Sequence, residues 1–106
     1  MYQYLVKTCL IMTLFSAVLT AGQTGKITGK VLDQETGNPL PGVNVLLENT
    51  PMGDATDPEG KFVILDIPPG LYTVKLSFIG YATVTIENVR STTDLTTNLY
   101  TINMAP

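Results

Sequence analysis

The stretch PGVNVLLENTPMGDATDPEGKFVILDIPPGLYTVKLSFIGY, from Pro41 to Tyr81, decides how the chain is read. Short runs of alternating apolar residues are cut at regular intervals by turn chemistry. The cuts fall at Pro41-Gly42, Asp57-Pro58-Glu59-Gly60, Pro68-Pro69-Gly70 and Gly80. That spacing specifies a small all-β sandwich. The residues that carry catalysis are missing from it, so the chain reads as a module that binds, spaces or connects.

Working outward, Val43, Val45 and Leu47 share one face of a strand, opposite Asn44 and Glu48. A short strand is expected at Ala55-Thr56. Asp57-Pro58-Glu59-Gly60 fits a type I turn, with Pro second and Gly fourth. Lys61 to Ile67 is apolar on both faces and predicts a central strand. Pro68-Pro69 ends it, because neither proline can donate to a ladder. Leu71 to Ile79 alternates most cleanly, with Tyr72, Val74, Leu76 and Phe78 against Thr73, Lys75 and Ser77. Ala82, Val84 and Ile86 repeat the pattern. Lys26 to Leu32 supplies a first strand, with Gly29 where another backbone approaches. Glu35 to Gly42 is a loop. The last strand runs from about Leu95 to Asn103, with Leu99 and Tyr100 competing for one face. The count is about seven strands, with no convincing helical period after Gly22.

The bulk numbers agree. The chain has 106 residues, enough for one domain, and is 44% hydrophobic and 14% charged. A net charge of −3 with no run of Lys or Arg excludes the electrostatic footprint of a nucleic-acid binder. There is no His, so a Ser-His-Asp arrangement is impossible. No catalytic residue, cofactor site or metal site is expected. The single Cys, Cys9, cannot form an intrachain disulfide.

The first 22 residues have the three-part layout of a secretory signal peptide. Lys7 gives the positive region, Cys9 to Leu19 the apolar one, and Thr20-Ala21-Gly22 a cut before Gln23. The apolar stretch is short for a spanning helix. Gln23 stands where a lipoprotein needs Cys. Cleavage leaves a domain of 84 residues, 23–106, with five basic and nine acidic side chains. The mature chain is then expected to be exported and not itself membrane-spanning.

Candidate sites are few. Asp54, Asp57 and Glu59 cluster before Gly60, but their spacing is not that of a calcium loop, and a capped turn explains them. Asp33 and Glu35 flank a turn with no nucleophile near. Lys26, Lys30, Lys61 and Lys75 are spread singly along strands and read as solvated faces. Tyr72, Phe78 and Tyr81 offer an aromatic platform for sugars, although Tyr72 and Phe78 suit the core. Tyr81, beside a turn glycine, is the candidate for an exposed glycan or partner contact. Leu71 and Ile79 fall on the polar face of their strand and mark a candidate partner surface.

A set of short motifs lies in order along this chain. They are Gly29-Lys30-Val31-x-Asp33, Thr36-Gly37-x-Pro39-Leu40-Pro41-Gly42-Val43-Asn44-Val45, Ala55-Thr56-Asp57-x-x-Gly60-x-Phe62-x-Ile64, Ile67-Pro68-Pro69-Gly70-x-Tyr72 and Ile79-Gly80-Tyr81. The set resembles the carboxypeptidase-regulatory-like domain, found at the N-terminus of many TonB-dependent outer-membrane receptors of Bacteroidetes-type bacteria. The resemblance covers about Gly25 to Asn103. It implies a seven-stranded transthyretin-like (prealbumin-like) Greek-key β-sandwich. It also implies a non-catalytic accessory domain in the periplasm, associated with the outer membrane and partnered by a receptor plug or barrel or by a periplasmic protein. A receptor would continue past Pro106 with a TonB-contacting segment, a plug and a barrel of many strands. Either an N-terminal part of a longer protein or a solitary copy is expected. A stand-alone secreted carbohydrate-binding-like module is the alternative. A metallocarboxypeptidase regulatory domain would need a catalytic half that this chain lacks.

Overall fold

The computed structural model describes residues 23–106; the expected signal peptide lies outside them. Seven strands form among these residues: β1 Gly25–Asp33, β2 Asn44–Leu47, β3 Gly53–Ala55, β4 Lys61–Ile67, β5 Gly70–Ser77, β6 Val84–Ser91 and β7 Thr96–Met104. They make two packed sheets, one of order β4-β1-β7 and one of order β3-β2-β5-β6. All pairings are antiparallel except β1 with β7, which run parallel. The expected seven-stranded sandwich is therefore the fold.

The core is what the alternation dictates. Ile27 and Val31 from β1, Val45 and Leu47 from β2, Phe62, Ile64 and Ile67 from β4, and Val74 and Leu76 from β5 point between the sheets and are buried. Tyr72 and Phe78 are half-buried against this cluster. Gly29 pairs with Phe62 across β1 and β4. A Cβ on Gly29 would stand 2.6 Å from the Phe62 ring, so the missing side chain is the space the ring fills.

Two buried polar side chains add to the backbone bonds that fix the loops. Thr56 donates its hydroxyl to Leu40 O (2.5 Å) and accepts from Val43 N–H (2.9 Å), holding the Pro41-Gly42 turn against β3. Ser91 donates to Ile67 O (3.1 Å), tying β6 to β4 in the other sheet. The Asp57–Gly60 turn forms as expected: Gly60 N–H donates to Asp57 O, and the Asp57 carboxylate accepts from Glu59 and Lys61 N–H. Gly60 has φ +80°, and a Cβ there would lie 2.5 Å from Val31 O.

Three strands carry bulges. Register slips opposite Lys26 on β4, opposite Thr73 on β6 and opposite Gly29 on β7. Each slip contains a left-handed residue: Asp66, Asn88 and Tyr100. The competition between Leu99 and Tyr100 is resolved this way. Leu99 turns inward, and Tyr100, the extra residue, turns out to 75% exposure.

The structure corrects four expectations. β4 is an edge strand, not a central one. Its second apolar face, Val63 and Leu65, is about half exposed, because none of the described residues forms a layer over the outer side of the three-stranded sheet. β5 stops at Ser77, so Ile79 lies in the following turn. The short third strand is Gly53–Ala55, because Thr56 leaves the ladder to hold the Pro41-Gly42 turn. Lys30 and Lys61 are not separate: they are direct cross-strand partners.

Candidate functional site

The residues singled out in the sequence fall in two places. The first is the turn between β5 and β6. Tyr81 N–H donates to Phe78 O (3.1 Å), closing a turn in which Gly80 takes φ +86°. This geometry leaves Ile79 at the tip, 96% exposed. Phe78 and Ile79, with Gly42, Asn44 and Ser77, line a shallow hollow of about 450 Å³. The Phe78 and Tyr81 rings lie with centroids 5.6 Å apart, tilted by 32°.

Tyr81 is half-buried, and its hydroxyl is already engaged. It donates to Asp33 Oδ2 at 2.5 Å. The other oxygen of Asp33 accepts from the N–H groups of Glu35 (2.7 Å) and Thr36 (3.1 Å). One carboxylate thus joins the end of β1, the loop that follows it and the β5–β6 turn. The Tyr81 hydroxyl, then the Thr36 and Glu35 N–H groups, hold the Asp33 carboxyl below its ordinary range. The same bond, with desolvation and the nearby charge of Asp33 and Glu35, pushes the Tyr81 phenol up. Both groups are locked in their resting protonation states, the reverse of what acid/base catalysis near neutrality requires.

The second place is Leu71, at the start of β5, 58% exposed and paired with Arg90. The rest of β5, about 20 Å of extended strand, and the start of the following turn separate it from Ile79. Leu71 and Ile79 therefore do not form one patch, whereas Ile79 and Tyr81 share a turn.

The acidic cluster is dispersed in use. Asp54 Oδ2 accepts from Val63 N–H (3.0 Å), Asp57 caps its own turn, and Glu59 pairs with Lys61 at 3.2 Å. Among the described residues, no three His, Cys, Asp or Glu side chains come together in a way that could hold a metal ion.

The outer face of β4-β1-β7 bears no motif legible in the sequence. A hollow of about 250 Å³ there is lined by Thr28, Gly29, Lys30, Lys61, Asn98, Tyr100 and Thr101. Only the strand register brings these side chains together. The sole signal in the sequence was the Leu99–Tyr100 conflict.

Two sheets of three and four strands, with turns fixed by glycine and by single polar side chains, define a β-sandwich module. The family model for the CarboxypepD_reg-like domain matches residues 27–105, and the chain belongs to that family. A curated relative, the TonB-dependent receptor P39 of Formosa agariphila, is 33% identical over 90 residues. That match takes in 82% of this chain but 8% of the receptor. Among solved structures, a chain of a type II cohesin–X–dockerin complex from Acetivibrio cellulolyticus superposes with a TM-score of 0.64 at 29% identity, over 76% of this chain and 56% of that one. The TIE protein of Bacillus anthracis shares the fold at TM-score 0.58 and 23% identity, over 78% of this chain and 16% of that one.

Proposed function

We propose that this chain is a non-catalytic, exported accessory domain of a TonB-dependent outer-membrane receptor, working in the periplasm. The observation that carries the reading is the 33% identity to a TonB-dependent receptor along 82% of the chain. The signal-peptide layout of residues 1–22 supports export. The locked Asp33–Tyr81 pair and the lack of any histidine support a role without chemistry.

The Ile79 tip is the contact point. A large aliphatic side chain 96% exposed on a fixed turn, beside an aromatic-walled hollow, has little reason to stand there in an isolated sandwich. It would dock on the plug or barrel of a receptor or on a periplasmic protein. A photo-crosslinking residue at position 79, expressed in the native bacterium, tests this. Crosslinks to a receptor or periplasmic protein, with Gln23 as the first residue of the product, are expected. Cytoplasmic retention, or crosslinks to cytoplasmic proteins alone, overturns the reading.

A further inference from the structure

Among the described residues, five non-glycine residues have positive φ: Asn49, Asp66, Asn88, Asp94 and Tyr100. Four are Asn or Asp, which tolerate this conformation through their short polar side chains. Tyr100 has no such excuse. The bulge at Tyr100 turns Leu99 inward, but the Tyr100 ring itself is 75% exposed, so its own packing does not select a tyrosine there. A bulky residue held in a sparsely populated conformation is a reason to look for function at that point.

Beside Tyr100 lies a second local conflict. Lys30 and Lys61 are direct cross-strand partners, and like charges in that relation are destabilising. Lys61 has Glu59 at 3.2 Å; among the described residues Lys30 has no carboxylate partner. Lys26 lies four residues from Lys30 on the same face, about 13 Å along the strand. The outward positions of the regular ladder, Lys26, Thr28, Lys30 and Leu32 on β1, Lys61, Val63 and Leu65 on β4, and Thr96, Asn98, Thr101 and Asn103 on β7, include no acid. Asp66, at the β4 bulge, and Asp94 line a hollow with Lys26, at the far end of the face from Lys30 and Lys61. Three of the five cations of residues 23–106 thus gather on one face of a chain segment with nine acids.

We propose that the outer face of β4-β1-β7 binds an acidic saccharide chain. Lys30 and Lys61 meet its carboxylate or sulfate groups, which relieves their mutual repulsion. The Tyr100 ring stacks on the C–H face of a sugar. Thr28, Asn98 and Thr101, in the same hollow, bond its hydroxyls. This mixture of charge, ring and neutral hydrogen-bonding groups favours a hydroxylated anion over a lipid headgroup. Glu59 beside Lys61, and Asp66 and Asp94 beside Lys26, disfavour a densely charged phosphate polymer. The proposal goes beyond receptor attachment and does not depend on it.

Titration calorimetry of the chain with polygalacturonate, dextran sulfate, neutral dextran, phosphatidylglycerol vesicles and an oligonucleotide tests it. Binding to an acidic saccharide, absent for neutral dextran and weakened by salt, is expected. Tyr100→Gly, which removes the ring and the backbone conflict together, should lower affinity about tenfold while melting temperature holds or rises. Lys30→Gln should weaken binding without altering the fold. No binding to either acidic saccharide, binding only to vesicles or the oligonucleotide, or unchanged affinity in Tyr100→Gly overturns the proposal.

Discussion

The end of the sandwich where β1 finishes and the outer face of β4-β1-β7 are built on opposite principles. At the end, polar groups are consumed internally. Thr56 satisfies two backbone groups, Asp33 accepts three bonds, and Tyr81 spends its hydroxyl on Asp33. On the face, two lysines are paired across strands and a tyrosine stands exposed on a left-handed backbone. The residues that make the family recognisable gather mainly at the end and are spent on holding the fold. On the face the bulge at Tyr100 turns Leu99 into the core, but the like-charge pair and the exposed tyrosine ring are not consumed in this way. Most of the residues that make the family recognisable hold the fold, and the proposed saccharide contacts lie on the face; Ile79, exposed at the tip of the Tyr81 turn, is the exception.

The contrast can be broken by mutation. The largest effect belongs to neither region but to the layer between them. Phe62→Ala empties the space over Gly29 and should cost about 3–5 kcal/mol by chemical denaturation. Thr56→Val comes next. It leaves Leu40 O and Val43 N–H without their side-chain partner, at about 1–3 kcal/mol. A stable Thr56→Val protein would mean that the end is less tightly determined than its bonds suggest.

Tyr81→Phe sharpens the comparison through pH. Asp33 has a folded pKa below its unfolded value, so its contribution is present above the unfolded value near 3.8 and is lost as pH falls through the folded one. Tyr81 has a folded pKa above its unfolded value, so its contribution is complete below 10.0 and is lost as pH rises through the folded one. Melting temperature measured across pH should therefore fall less steeply at both extremes in Tyr81→Phe, around a lower plateau. The smallest effect is expected at the tip: Ile79→Ser should change stability by less than about 0.5 kcal/mol, since the side chain touches almost nothing.

Much of this was legible in the sequence because turn residues punctuate strands. Asp57-Pro58-Glu59-Gly60 and Gly80 marked their turns, and Val43, Val45, Leu47, Val74 and Leu76 marked the core by alternation alone. What escaped was lateral order. Val63 and Leu65 suggested a strand covered on both sides, but neighbours in a sheet are set by register and connection, not by one strand's composition. For the same reason Lys30 and Lys61, 31 positions apart in the sequence, gave no sign of facing one another. Bulges were half visible: two adjacent residues with equal claim to one face, Leu99 and Tyr100, are what an inserted residue looks like before the backbone is known. The Tyr81–Asp33 bond was hidden because it spans 48 residues and depends on a turn and a strand end meeting.

The parallel pairing of the first and last strands has a mechanical meaning. Gly25 opens β1 at one end of the sandwich, and Met104 closes β7 at the other. Tension between those points draws the two strands past each other along their length. Their ladder of bonds is then loaded together in shear rather than peeled one at a time. With nine residues in each strand, the linkage is about 30 Å long. A domain built so transmits a pull as a stiff strut and yields only when the whole pair gives way.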